Sequence, residues 1–107
     1  MELNQLNDLI MDKIRKLELC RKELSDRSKT KAETISNYDK QLAKAILEIK
    51  EGHPATLCEK LAKGQCFDER LKMELADAMY KSVITAINSL QAELNGLQSI
   101  LRYSSEV

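Results

Sequence analysis

The sequence predicts an all-α fold: a long antiparallel αα-hairpin with a short helical connector, two copies of which pair into a four-helix bundle. Three observations point to it. Apolar residues recur at steps of three and four along most of the chain, the spacing of one helix face. The only Pro and two of the three Gly fall in one connector. Between Ser82 and Leu101 the chain carries one charged residue, Glu93, although about a third of all residues are charged. That last stretch holds too many Ser, Thr, Asn and Gln residues for a membrane span, so it reads as helix covered by other protein.

The first helix is expected from about residue 2 to 51. Leu3, Leu6, Ile10, Ile14, Leu17, Cys20, Leu24, Ser28, Ala32, Ile35, Tyr38, Leu42, Ile46 and Ile49 form its apolar stripe, and no Gly or Pro interrupts it. At about 1.5 Å per residue it would be on the order of 75 Å long. The alternative is a break around Ser25 to Ser28 with a restart at Thr30-Lys31-Ala32-Glu33, which fits the capping-box pattern. Gly52-His53-Pro54 stops the helix, because Gly suits the left-handed residue past a helix end and Pro cannot continue one. The connector spans about 52–67, with a short helix over 54–63 that starts on Pro54 and has Gly64 beyond its end. Asp68 is the expected cap of a second long helix running to about residue 102, leaving a tail at 103–107. Residues 1–107 then form one helical-hairpin domain. Gly96, inside the second helix, marks either a close helix approach or a frayed end.

The two long helices differ in kind. The first has one apolar stripe, whereas the second is apolar over more than half its circumference. Leu71, Leu75, Met79, Ala86, Leu90, Leu97 and Leu101 lie on one side, and Ala76, Tyr80, Val83, Ile87 and Leu94 continue around it. With Ile49 beside residue 69, the polar 25–34 stretch would lie along 84–93, so Ser28, Lys31 and Ala32 would face Ile84, Ile87 and Leu90. The missing cover is expected from a second copy, which makes the chain a homodimer with Tyr80, Val83, Ile84, Ile87, Leu90 and Leu94 as its contact surface. Another protein is the second candidate occupant. The alternative fold is a monomeric three-helix arrangement using the break near residue 28.

With 17 basic and 17 acidic residues, bulk charge points to no class of partner. Lys13, Arg15, Lys16, Arg21, Lys22, Arg27, Lys29 and Lys31 nevertheless form a basic segment, and a nucleic-acid accessory protein is the alternative functional reading. Against it, these residues spread around the whole helix, no aromatic stands among them, and Asp12-Lys16, Glu18-Lys22 and Glu23-Arg27 have the spacing of a solvated helix. Three cysteines and no signal-peptide pattern, since Glu2, Asn4, Gln5, Asn7 and Asp8 interrupt any apolar run, point to free thiols and the cytoplasm.

His53, Cys58 and Cys66, with Asp68 or Glu69, are the residues nearest to a zinc set. Their His-x4-Cys-x7-Cys spacing lacks the paired Cys-x-x-Cys of compact zinc sites. The plainer reading packs both thiols under the turn. A Cys nucleophile served by His53 would lack a pocket and an orienting third group. No cofactor, metal or catalysis is expected.

Tyr38-Asp39-Lys40 with Leu42-Ala43, Ala78-Met79-Tyr80-Lys81, and the run from Leu94 to Tyr103 resemble short helical-hairpin proteins of unknown function carried by phages and prophages of Gram-positive bacteria. The resemblance covers most of the chain through unspecific helical motifs. It implies a small accessory protein in the host cytoplasm and supplies no catalytic residue. The secreted WXG hairpin proteins fit less well, because the turn has no Trp-x-Gly and Glu106 follows Tyr103 at three residues rather than four.

Overall fold

The structure, a computed structural model, describes residues 2–106, with side chains through residue 104. Three helices follow one another: α1 (Leu3–Ile49), α2 (Ala55–Gln65) and α3 (Phe67–Glu106), with no strand among the described residues. The long helices α1 and α3 pack against each other, so the chain is an all-α hairpin. Its contacts fall into two compact units, Arg27–Tyr80 and the pair of segments Met1–Asp26 and Lys81–Val107.

Helix α1 runs without a break, as expected for a segment free of Gly and Pro. The Thr30–Glu33 stretch is interior helix, and the Thr34 hydroxyl donates back to the Lys31 carbonyl at 2.9 Å. The helix ends where the sequence said it must. Lys50 N–H makes the last intrahelical bond, to Ile46, and Gly52 takes φ 87°, the left-handed conformation that costs a residue with a Cβ.

Helix α2 begins one residue later than expected, with Pro54 as the extended residue before it (φ −60°, ψ 149°). It also runs past Gly64 to Gln65. The reason is packing: Ala62 and Cys66, four residues apart, both bury against Ala45, and Tyr38, Leu42, Ile46 and Ile49 close around this cluster. Cys66 alone separates α2 from α3. Its N–H bonds to the Ala62 and Lys63 carbonyls and its own carbonyl receives Arg70 N–H at 3.0 Å. Asp68 is therefore not the cap of α3. It lies in the first turn with Glu69, where negative charge suits the helix N-terminus. The tail expected at 103–107 is helical through Glu106, and Val107 lies outside the described residues.

Two expectations about packing need correction. The first concerns register. Lys13 bonds Glu93 at 2.6 Å in one unit and Lys31 bonds Asp77 at 3.1 Å in the other. Ala45 and Gln41, not Ile49, share a depression with Cys66 and Glu69. The last turns of α1 are covered by α2, and that displaces α3 by about ten residues from the alignment a simple turn would give. Ile84, Ile87 and Leu90 thus do not face Ser28 and Ala32; they are half-buried in the unit that contains the apolar N-terminal part of α1.

The second concerns the stripe. Ser28, Ala32 and Ile35 are exposed, whereas Arg27, Lys31 and Thr34 are packed in. From Leu6, the least exposed large side chain, one line of covered positions runs through Ile10, Lys13, Leu17, Cys20 and Leu24, and then, in the second unit, Arg27, Lys31, Thr34, Tyr38, Gln41 and Ala45, with Asp12, Ile14, Leu42, Ile46 and Ile49 half-buried beside it. The line alternates steps of four and three without a skip, an average of about 3.5 residues per turn. The apolar stripe leaves it at Ser28, Ala32 and Ile35 and returns to covered positions at Tyr38, Leu42, Ile46 and Ile49.

Gly96 lies in unbroken helix with nothing within 4 Å of the position a Cβ would take. Neither close approach nor fraying accounts for it. Gly96→Ala should stabilise the fold by about 0.5–1 kcal/mol, read as a higher midpoint in thermal unfolding. Ala62 is fully enclosed, so Ala62→Leu should overpack the cluster and cost about 1–3 kcal/mol, measurable by urea unfolding.

Candidate interaction surface

The expected contact surface on α3 is largely spent within the chain. Val83 and Leu94 are buried, and Tyr80, Ile84, Ile87 and Leu90 are half-buried. With Ala76, Leu97 and Leu101, all of them except Ile84 fall on the alternating three-and-four spacing that packs α3 on α1.

What remains uncovered is a different row. Phe67, Leu71, Leu75 and Met79, one per turn on the Arg27–Tyr80 unit, are 64%, 46%, 54% and 44% exposed. Side chains four residues apart on a helix stack into a ridge. Leu71, Leu75 and Met79 were visible in the sequence as one side of α3. Phe67 was missed because the connector was expected to reach residue 67, and the signal for it was its place four residues before Leu71. Arg70 and Glu74 border the ridge and bond to each other at 3.1 Å. At its far end Arg27 Nη1 donates to the Met79 sulfur at 3.6 Å. Another apolar depression lies in the other unit, where Leu9, Gly96, Leu97 and Ile100 meet beside the Lys13–Glu93 pair.

The basic segment is partly occupied with packing. Hydrogen bonding to Glu93 raises the Lys13 ammonium above its ordinary pKa, and Lys16 lowers the Asp12 carboxyl below its own. The Lys31 ammonium bonds Asp77 and lies 4.5 Å from the centre of the Tyr80 ring, a cation–π arrangement. Arg15, Lys16, Arg21, Lys22 and Lys29 are exposed, while Lys13, Arg27 and Lys31 are directed into packing. The structure thus does not gather the eight into one phosphate-facing row.

Each connector thiol has a structural setting. Cys58 Sγ is buried within reach of the His53 carbonyl at 3.5 Å and the Ile49 carbonyl at 3.8 Å, where a weak S–H donor meets the end of α1. Cys66 belongs to the Ala45–Ala62 cluster, and burial, then the Glu69 charge, push its thiol pKa up. His53 is exposed in the turn. Among the described residues no three His, Cys, Asp or Glu side chains come together as a metal set. Among the described residues no helix is long and apolar enough to cross a membrane.

The chain matches no family model, and no curated protein or solved structure is significantly similar to it.

Because Cys58 and Cys66 are buried, both should resist alkylation in the native protein at neutral pH, whereas half-buried Cys20 should react first. Mass spectrometry after timed iodoacetamide exposure, with and without denaturant, measures the order.

Proposed function

We propose that this chain is a non-enzymatic helical interaction module that associates with itself, most simply as a homodimer. The observation that carries the reading is the Phe67–Leu71–Leu75–Met79 ridge: four large apolar side chains on consecutive turns, each left about half or more exposed by its own chain. Scattered exposed leucines are ordinary, but a contiguous apolar row bordered by charges is the signature of a surface that meets another protein. The contact is therefore proposed on this ridge and not on the Tyr80–Leu94 row. The resemblance of the Tyr38–Ala43, Ala78–Lys81 and Leu94–Tyr103 motifs to phage and prophage hairpin proteins supports a role as a small accessory protein in the bacterial cytoplasm.

Sedimentation velocity at micromolar concentration should give a species heavier than the 12.2 kDa chain. Leu71→Lys with Leu75→Lys should return it to the monomer while the helical circular dichroism is kept, since both side chains are exposed in the single chain. A folded wild-type protein that sediments only as a monomer rejects the proposal. A complex with DNA that weakens steeply with salt would favour the basic segment instead.

A further inference from the structure

The ridge carries the means to select one geometry of self-association. Phe67, Arg70, Leu71 and Glu74 surround a shallow depression on α3. Their spacing of i, i+3, i+4 and i+7 is that of the four side chains forming a hole in knobs-into-holes packing. Just beyond it Leu75 projects from the same row, exposed. A hole and a knob on one helix are self-complementary when a second copy runs in the opposite direction. The hole is centred between Arg70 and Leu71, so a two-fold axis crossing the ridge between Leu71 and Leu75, at the level of residue 73, lays the partner's Leu75 over it, and the reverse contact follows by symmetry.

We propose that two copies pack antiparallel through α3, the Leu75 of each seated in the hole that Phe67, Arg70, Leu71 and Glu74 form on the other. This rests on the self-association reading and adds its direction and register. Charge complementarity supports a second copy as the occupant. Arg70 and Glu74 pair along the flank of their own helix. An antiparallel copy sets each Arg70 beside the partner's Glu74, closing a rim of alternating charge, whereas a parallel copy in register would set like charge against like. The same alignment brings Phe67 at one end of the ridge to the partner's Met79 at the other, a favourable ring–sulfur contact.

Two sets of variants read the register by analytical ultracentrifugation. Arg70→Glu or Glu74→Arg alone should raise the dimer Kd by roughly three- to tenfold, and the double reversal should return it to within about twofold of wild type. The intrahelical pair is also lost and regained in that series, so a volume exchange isolates the intermolecular contact. Leu75→Trp should overfill the partner's hole and weaken the dimer, and adding Phe67→Ala, which widens the hole, should restore it. Residues 67 and 75 of one helix are about 12 Å apart along its axis, too far to compensate within a chain. If Leu71→Lys with Leu75→Lys dissociates the dimer but neither compensation occurs, this geometry is wrong while self-association stands. If the wild type is monomeric, and ridge variants instead abolish binding to a different helical protein, both readings fall.

Discussion

The constraint on which the hairpin depends is a shared seven-residue repeat. In each unit the covered residues of α1 and α3 follow steps of three and four: Leu6, Ile10, Lys13, Leu17, Cys20 and Leu24 with Val83, Ile87, Leu90, Leu94, Leu97 and Leu101; Arg27, Lys31, Thr34, Tyr38, Gln41 and Ala45 with Glu69, Met73, Ala76 and Tyr80. A strict average of about 3.5 keeps one line of side chains turned toward the neighbouring helix over many turns. Once that line is fixed at Leu6 and Leu17, the residues that enter it are decided by counting and not by hydrophobicity. This is why Arg27, Lys31 and Thr34 are half-buried although Ile35, beside them, stays exposed.

The cost of polar residues in the line is moderated by their chemistry. Lys31 and Asp77 keep about a third of their side-chain surface in water (32% and 34%), so neither is stripped of solvent. Such a partly exposed pair adds little net stability. Its consequence is alignment, because sliding α3 by one turn would separate the ammonium from Asp77 and remove it from the Tyr80 ring. Polar positions in helix seams commonly fix register in this way. The charged heads also find partners: the Arg27 guanidinium donates to the Met79 sulfur, which stays 44% exposed, and the Lys31 ammonium lies over the Tyr80 ring.

Helix existence and the stop at Gly52–Pro54 were legible because they rest on local rules: absence of breakers, then a left-handed Gly and a Pro. Register was not legible, since it depends on how far α2 doubles back, and that is set by the nonlocal burial of Ala62 and Cys66 on Ala45. The row expected as the contact surface and the row left exposed differ for an instructive reason. The stretch from Ser82 to Leu101 carries Glu93 as its one charge, but its large apolar residues are drawn mainly into packing within the chain. Ser82, Thr85, Asn88, Ser89, Gln91, Asn95, Gln98 and Ser99 make its exposed side polar with little charge. The true apolar ridge stands among Arg70, Lys72 and Glu74, where charge content conceals it. Scarcity of charge and exposure of apolar surface are different properties, and only the second calls for a partner.

The ridge is also unlike a core residue left uncovered by accident. Its four side chains occupy the side of α3 away from the Glu69–Met73–Ala76–Tyr80 line, so no adjustment of the intrachain packing could shelter them without turning that line outward. The hairpin has one face per helix to offer its other arm, and α3 has two apolar faces. In the proposed antiparallel pairing the two α3 helices overlap over 67–79, and there the partner's ridge supplies the cover that the chain itself does not. Four side chains per copy form a patch smaller than the roughly 800 Å² per partner of a standard stable interface. An interface of that scale is expected to be reversible, which is the regime in which sedimentation resolves monomer from dimer.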